Sequence, residues 1–261
     1  MPTRSSNYIY RISLGFGIRH TPHPRLEFLA FDLCRKEARL RFRRNAKPIR
    51  FFMFSLQKLL GKEDKFFDLL EASAEEGRAS VRALIKLVKC AAETRTLEDF
   101  IISRRKEKKI AAEISEAVAT TFVTALERED IEALSFALYR IPKTAEKVGE
   151  RILIAPQFLS GVDISRQLAM MEKSTDTLLL MIRELRRGVN PEKIRTHNDQ
   201  LQAIEGEADK LVLDLLRDLY SGKHEPLQAV FLKELYDLLE KVTDRCRDAG
   251  NVINHIVLKN S

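Results

Sequence analysis

The chain is poor in the residues that build sheets, disulfide frameworks and membrane spans. Its 261 residues include three cysteines, no tryptophan, 10 glycines and 8 prolines. Cys34, Cys90 and Cys246 lie far apart without a CxxC pair, which argues against a disulfide scaffold and for a reducing compartment. No run of eighteen or so apolar residues is present, so no segment reads as a membrane-crossing helix. P-loop, GxGxxG, HExxH, GxSxG and ExxH patterns are all missing, and no nucleophile is placed beside a base; catalysis is not expected. Few turn formers and 32% charged residues suit long helices.

The net charge of +7 is unevenly placed. Residues 1–52 hold twelve Lys/Arg against three Asp/Glu, a balance of +9; the remainder holds 33 against 35, a balance of −2. The body therefore has no global basic field to attract nucleic acid. The arginine-rich first 52 residues read as a poorly structured basic extension, or as an upstream translation ahead of a start at Met53. A transit-peptide-like segment, or a basic arm for phosphate or membrane surfaces, is the alternative reading of the same composition.

Beyond that extension, apolar spacing predicts six helices near 62–92, 97–126, 128–156, 163–188, 191–221 and 226–258. Gly188 and Pro191, then Ser221-Gly222 and Pro226, mark stops and starts, and Pro142 is expected to kink the third helix. A shift of 101 residues aligns Ile110, Ile114 and Val118 with Leu211, Leu215 and Leu219. The same shift places Ile131, Leu134, Leu138, Ile141 and Ile152 on Leu232, Leu235, Leu239, Val242 and Ile253. The expected architecture is an all-α, six-helix bundle of two tandem three-helix repeats, about 58–158 and 159–259, within a domain spanning 53–261.

The acidic residues supply the candidate site. Glu205 and Asp209 on the fifth helix, and Glu240 and Asp244 on the sixth, are both ExxxD pairs. Four-residue spacing stacks each pair on one helical face, where like charges repel unless water or a cation intervenes. If the two helices lie side by side, four carboxylates meet, with His255 the one plausible imidazole nearby. Oxygen donors of this kind suit Mg, Mn, Fe or Ca. The helical wheel places such an ion at or near the surface; the alternative is a plain solvated acidic face.

Three stretches carry a family likeness: FSLQKLLGKEDKFFDLLEASAEEG, TTFVTALEREDIEAL, and IEGEAD with KELYDLLEKVTDRCRDAGNVI. Together they resemble the PhoU-like phosphate-uptake regulators, more closely the branch associated with Pit-type phosphate transporters. That resemblance implies a helical-repeat fold, no enzymatic activity, surface metal clusters held by ExxxD carboxylates in each repeat, and action through protein partners. It implies a cytoplasmic protein, held peripherally at the inner membrane face through its transporter, with homo-oligomers open to it and no nucleic acid expected. The family's acids fall on Glu205, Asp209, Glu240 and Asp244. In the first repeat the equivalent positions are Arg104, Lys108, Tyr139 and Lys143, so a metal site there is expected to be lost. Arg104 to Lys109, RRKEKK, is expected to be a solvated face; the sharper alternative makes Arg104, Lys108 and Lys143 an anion or partner site. Two further readings stand: a helical scaffold without metal, and a nucleic-acid binder resting on the basic segments.

Overall fold

A computed structural model describes residues 50–260 except 125 and 189, with side chains from Lys65 onward except at 92. Among the described residues six α-helices follow one another: α1 Arg50–Lys89, α2 Glu98–Thr120, α3 Arg128–Ile154, α4 Ser165–Arg187, α5 Pro191–Leu219 and α6 Pro226–Lys259. Single 3₁₀ turns lie at Ala92–Thr94 and Pro156–Leu159, and no strand occurs among the described residues. The expectations for residues 1–49 lie outside the described residues. The unit considered below spans Ser55–Ser261.

The helix ends follow local chemistry. α4 closes on Gly188, whose φ of 112° a side chain would resist. α5 opens with Pro191 at its first turn, and the Asn190 side chain accepts a hydrogen bond from the Lys193 amide. α6 opens the same way, with Glu225 accepting from the Gln228 amide ahead of Pro226. Two boundaries depart from expectation. α1 begins at Arg50 rather than at residue 62. α2 stops at Thr120 rather than at residue 126, because Thr120, Thr121, Val123 and Thr124 form a β-branched run and Thr121 turns extended. α3 continues across Pro142 to Ile154 although the proline removes one amide donor.

The repeats face one another. α3 and α6 run antiparallel at the centre: Lys259 Nζ reaches Glu127 and Asp130 at one end, and Arg151 pairs with Glu234 at 2.9 Å at the other. α1 and α4 are likewise antiparallel, with Arg183 reaching Glu71 and Glu75 at 2.6 and 2.9 Å. α6 packs against α3, α4 and α5, so it has little solvent-facing surface. The aligned apolar residues Ile131, Leu134, Leu138, Ile141 and Ile152, and their counterparts on α6, are all buried. Each such side chain contributes about 1.5–3 kcal/mol by leaving water.

Backbone approach preserves the 101-residue relation as well. A Cβ on Gly149 would meet Leu97 Cδ2 and Phe100 Cε2, both at 3.2 Å. A Cβ on Gly250 would meet Asn198 Oδ1 at 3.1 Å and Leu201 Cδ1 at 2.5 Å. Glycine and both partners are displaced by the same offset, so the second and third helices of each repeat close on each other in the same way.

Candidate metal centre

The α5–α6 contact sets the geometry. On α5 the row Leu201, Ile204, Ala208, Leu211 and Val212 is buried, and Glu205 and Asp209 flank it. α6 presents Asp244 toward them. One carboxylate oxygen from each of Glu205, Asp209 and Asp244 lies within 4.8 Å of the others, the one such acidic group among the described residues. All three residues are half-buried; the side chains of Glu205 and Asp244 retain 17% and 28% of their exposure. A donor set of three carboxylates at this spacing fits a hard cation such as Mg, Ca, Mn or Fe.

Glu240 stands beside this triad rather than in it. Its carboxyl is pushed up to about 7, first by burial, then by a hydrogen bond shared with Asp209 and the charges of Asp244, Asp209 and Asp237. On a helical wheel Glu240 and Asp244 lie well away from the row Leu232, Leu235, Leu239, Val242 and Cys246. In the fold that side of α6 is turned toward α5, which half-buries both residues. His255 is exposed and belongs to no acidic group.

A cation from the chain itself reaches the cluster. Arg247, one turn beyond Asp244, forms an ion pair with Glu205 across the helix interface through Nη1, which lies 3.8 Å from Asp244. Its Nη2 donates to Asp248 at 3.1 Å. Burial raises the Glu205 carboxyl above its ordinary range, with Asp209 and Asp244 adding to the rise; Arg247 opposes it without cancelling it.

The first repeat carries the inverse. Arg104, at the position equivalent to Glu205, donates from Nε to Glu146 at 3.2 Å and from Nη2 to the Tyr139 hydroxyl at 2.8 Å. Its guanidinium carbon lies 4.5 Å from the Tyr139 ring centroid. Glu146 is the 101-residue counterpart of Arg247, so the same cross-helix ion pair occurs in both repeats with opposite polarity. RRKEKK is solvated in part: Arg105, Lys106, Lys108 and Lys109 are exposed as expected, whereas Arg104 is 8% exposed and Glu107 is fully buried. α2 buries Phe100, Ser103, Arg104, Glu107 and Ile114, a helical stripe in which polar residues occupy core-facing positions. Lys108 and Lys143 are exposed. Arg247 and Glu146 went unremarked in the sequence, although equivalent positions holding opposite charges were there to be read.

The helical-repeat fold has solved counterparts. Solved structures from Shewanella oneidensis MR-1, one described as "a putative PhoU-like phosphate regulatory protein" and one as "a phou-like protein", share the fold. Their TM-scores are 0.59 and 0.58 at 19% and 17% identity, over 74% of this chain and 99% of each of theirs. In sequence, the chain is 27% identical over 208 residues to the "Putative pit accessory protein" of Rhizobium meliloti (strain 1021), spanning 78% of this chain and 97% of that one. It is also 25% identical over 140 residues to "UPF0111 protein YkaA" of Bacillus subtilis (strain 168), 54% of this chain and 68% of that one. No family model matches the chain. The chain thus has the fold of these PhoU-like proteins and resembles a Pit accessory protein in sequence over most of its length.

Proposed function

We propose that this chain is an accessory protein of inorganic phosphate transport that works by docking on a Pit-type transporter and performs no chemistry of its own. The likeness to the Rhizobium protein along nearly all of that protein's length supports this reading most. No helix among the described residues is long and apolar enough to cross a membrane. In this reading the chain reaches the transporter peripherally, from the cytoplasmic side, through its loops and polar helix faces. The test is co-purification of the tagged chain with the Pit-type transporter of the same cell, together with phosphate uptake with and without the chain. Failure to co-purify combined with unchanged uptake overturns the proposal.

The acidic cluster is the second part of the proposal. Glu205, Asp209 and Asp244 would hold one divalent or trivalent cation, with Glu240 supporting Asp209 from outside the ligand set. Such an ion would supply fixed positive charge that ties α5 to α6. Arg247 would have to leave Glu205 for Asp248, which it already contacts. The same contact favours a second reading, in which Arg247 is the resident counter-charge and the domain is a scaffold without metal. Metal analysis of the wild-type chain against an Asp209→Asn/Asp244→Asn variant separates the two: a bound ion lost on substitution supports the metal, and an ion-free wild type supports the scaffold.

A further inference from the structure

The inverted site of the first repeat has a chemistry of its own, independent of the metal reading. Arg104 donates its Nη2 hydrogen to the oxygen of Tyr139, so the phenol's own hydrogen is left to donate elsewhere. Lys108 lies one turn beyond Arg104 on α2, and Lys143 one turn beyond Tyr139 on α3, so both ammonium groups flank the Arg104–Tyr139 contact. Both lysines are exposed, and among the described residues neither enters an ion pair. Glu146 balances Arg104, which leaves the two lysines as uncompensated charges. Tyr139 is half-buried; beside the site it also lines an open groove of about 440 Å³ between α2 and α3 that carries Glu132 and neither lysine.

We propose that the Tyr139 hydroxyl and the ammonium groups of Lys108 and Lys143 form a binding site for a dianionic oxyanion of the phosphate class, with Arg104 and Glu146 as positioning residues. The match is one of charge and donor type. Two cations meet a dianion, and three donors carried on two helices, with both lysine charges felt at the phenol, suit the several acceptor oxygens of a tetrahedral anion. A buried Arg104 cannot swing away, because Glu146 and Tyr139 hold it on two sides; the phenol it polarises is therefore fixed in place. The phenol is also more acidic than usual, through the Arg104 hydrogen bond first and then the charges of Arg104, Lys143 and Lys108, which strengthens it as a donor. The second repeat offers no such site, since acids stand at the four equivalent positions.

The test is calorimetric titration of the full chain with inorganic phosphate, in chloride buffer containing a chelator so that no metal at the α5–α6 cluster can recruit the anion. A saturable one-site isotherm is expected. Tyr139→Phe, which keeps the ring beneath Arg104, should weaken it about tenfold, the usual scale for losing one charge-assisted hydrogen bond. Lys108→Ala/Lys143→Ala should abolish it, and Lys147→Ala, an exposed lysine outside the site, should leave it unchanged. Cosedimentation with phosphatidylcholine vesicles containing phosphatidic acid, whose phosphomonoester can carry two negative charges, forms the second arm. Binding of free phosphate identifies the ion as the ligand; binding of the vesicles alone, lost in the lysine double variant, identifies a lipid phosphate. If Tyr139→Phe does not fold, the exposed lysine pair still decides. Absence of saturable binding in both arms, or equal losses in Lys147→Ala and the lysine double variant, overturns the proposal.

Discussion

Glu107 carries a buried carboxyl of which only Oε1 has a partner, the Ser73 hydroxyl at 2.7 Å; Oε2 has none. Burial pushes this carboxyl up to about 7; Glu76 adds to the rise, and Ser73 and Arg104 oppose it. The folded state therefore holds a proton that the unfolded chain releases near the ordinary carboxyl value of 4.5. Between those values the unfolded state binds fewer protons, so stability falls as pH rises from about 4.5 to about 7, by roughly 3 kcal/mol in all. Glu107→Gln keeps an acceptor for Ser73 and cannot ionise; urea unfolding at pH 5 and pH 8 should show the wild type losing stability and the variant losing far less. At the second site, Arg247→Met frees Glu205 and Asp244 of their internal partner. Calcium or manganese affinity should then rise about tenfold by titration calorimetry, and equal affinities would show that Arg247 does not compete. The types and spacing of the site acids are plain in the sequence. Arg104 and Glu107 were misread because they are polar, yet they continue the i, i+3, i+4, i+7 stripe begun by Phe100. Position on a helix, not polarity, decided which side chains were buried.

The helices of the second repeat carry two glycines with different duties. Gly250 faces Leu201 at a distance no Cβ tolerates, whereas a Cβ on Gly206, between Glu205 and Glu207, would meet nothing within 4 Å. Gly250→Val should cost about 1–3 kcal/mol by forcing α5 and α6 apart. Gly206→Ala should stabilise α5 by about 1 kcal/mol, because alanine loses less backbone freedom in a helix. Urea midpoints of the two variants, moving in opposite directions, check both. Gly250→Val should also disperse the acidic triad and weaken any metal binding with it. At this scale most of the structure was legible: helix starts at Pro191 and Pro226 and the end past Arg187 follow from prolines and a glycine acting locally. α2 escaped, because apolar residues continue past Thr120 while a β-branched run ends the helix.

At the scale of the whole Ser55–Ser261 unit, two copies of one three-helix repeat face each other through α1 with α4 and α3 with α6, and carry opposite charges at equivalent places. A transporter partner that engages the acidic second repeat should be sensitive to salt, since exposed charges are screened beyond about 8 Å at physiological ionic strength. Co-purification with the Pit-type transporter is expected to weaken on raising sodium chloride from 50 to 500 mM; retention undiminished by salt would place the contact on apolar surface. Sequence by itself determined the helix count, the 101-residue repeat and which positions are acidic or basic, because periodicity, glycine, proline and charge act within one or two turns. Only the tertiary structure decided that Glu240 stands beside the acidic triad rather than in it, that Arg247 reaches Glu205, and that Arg104 is buried against Tyr139 and Glu146. Those outcomes depend on how two helices rotate and close against each other, and that rotation is set by the combined packing of all six.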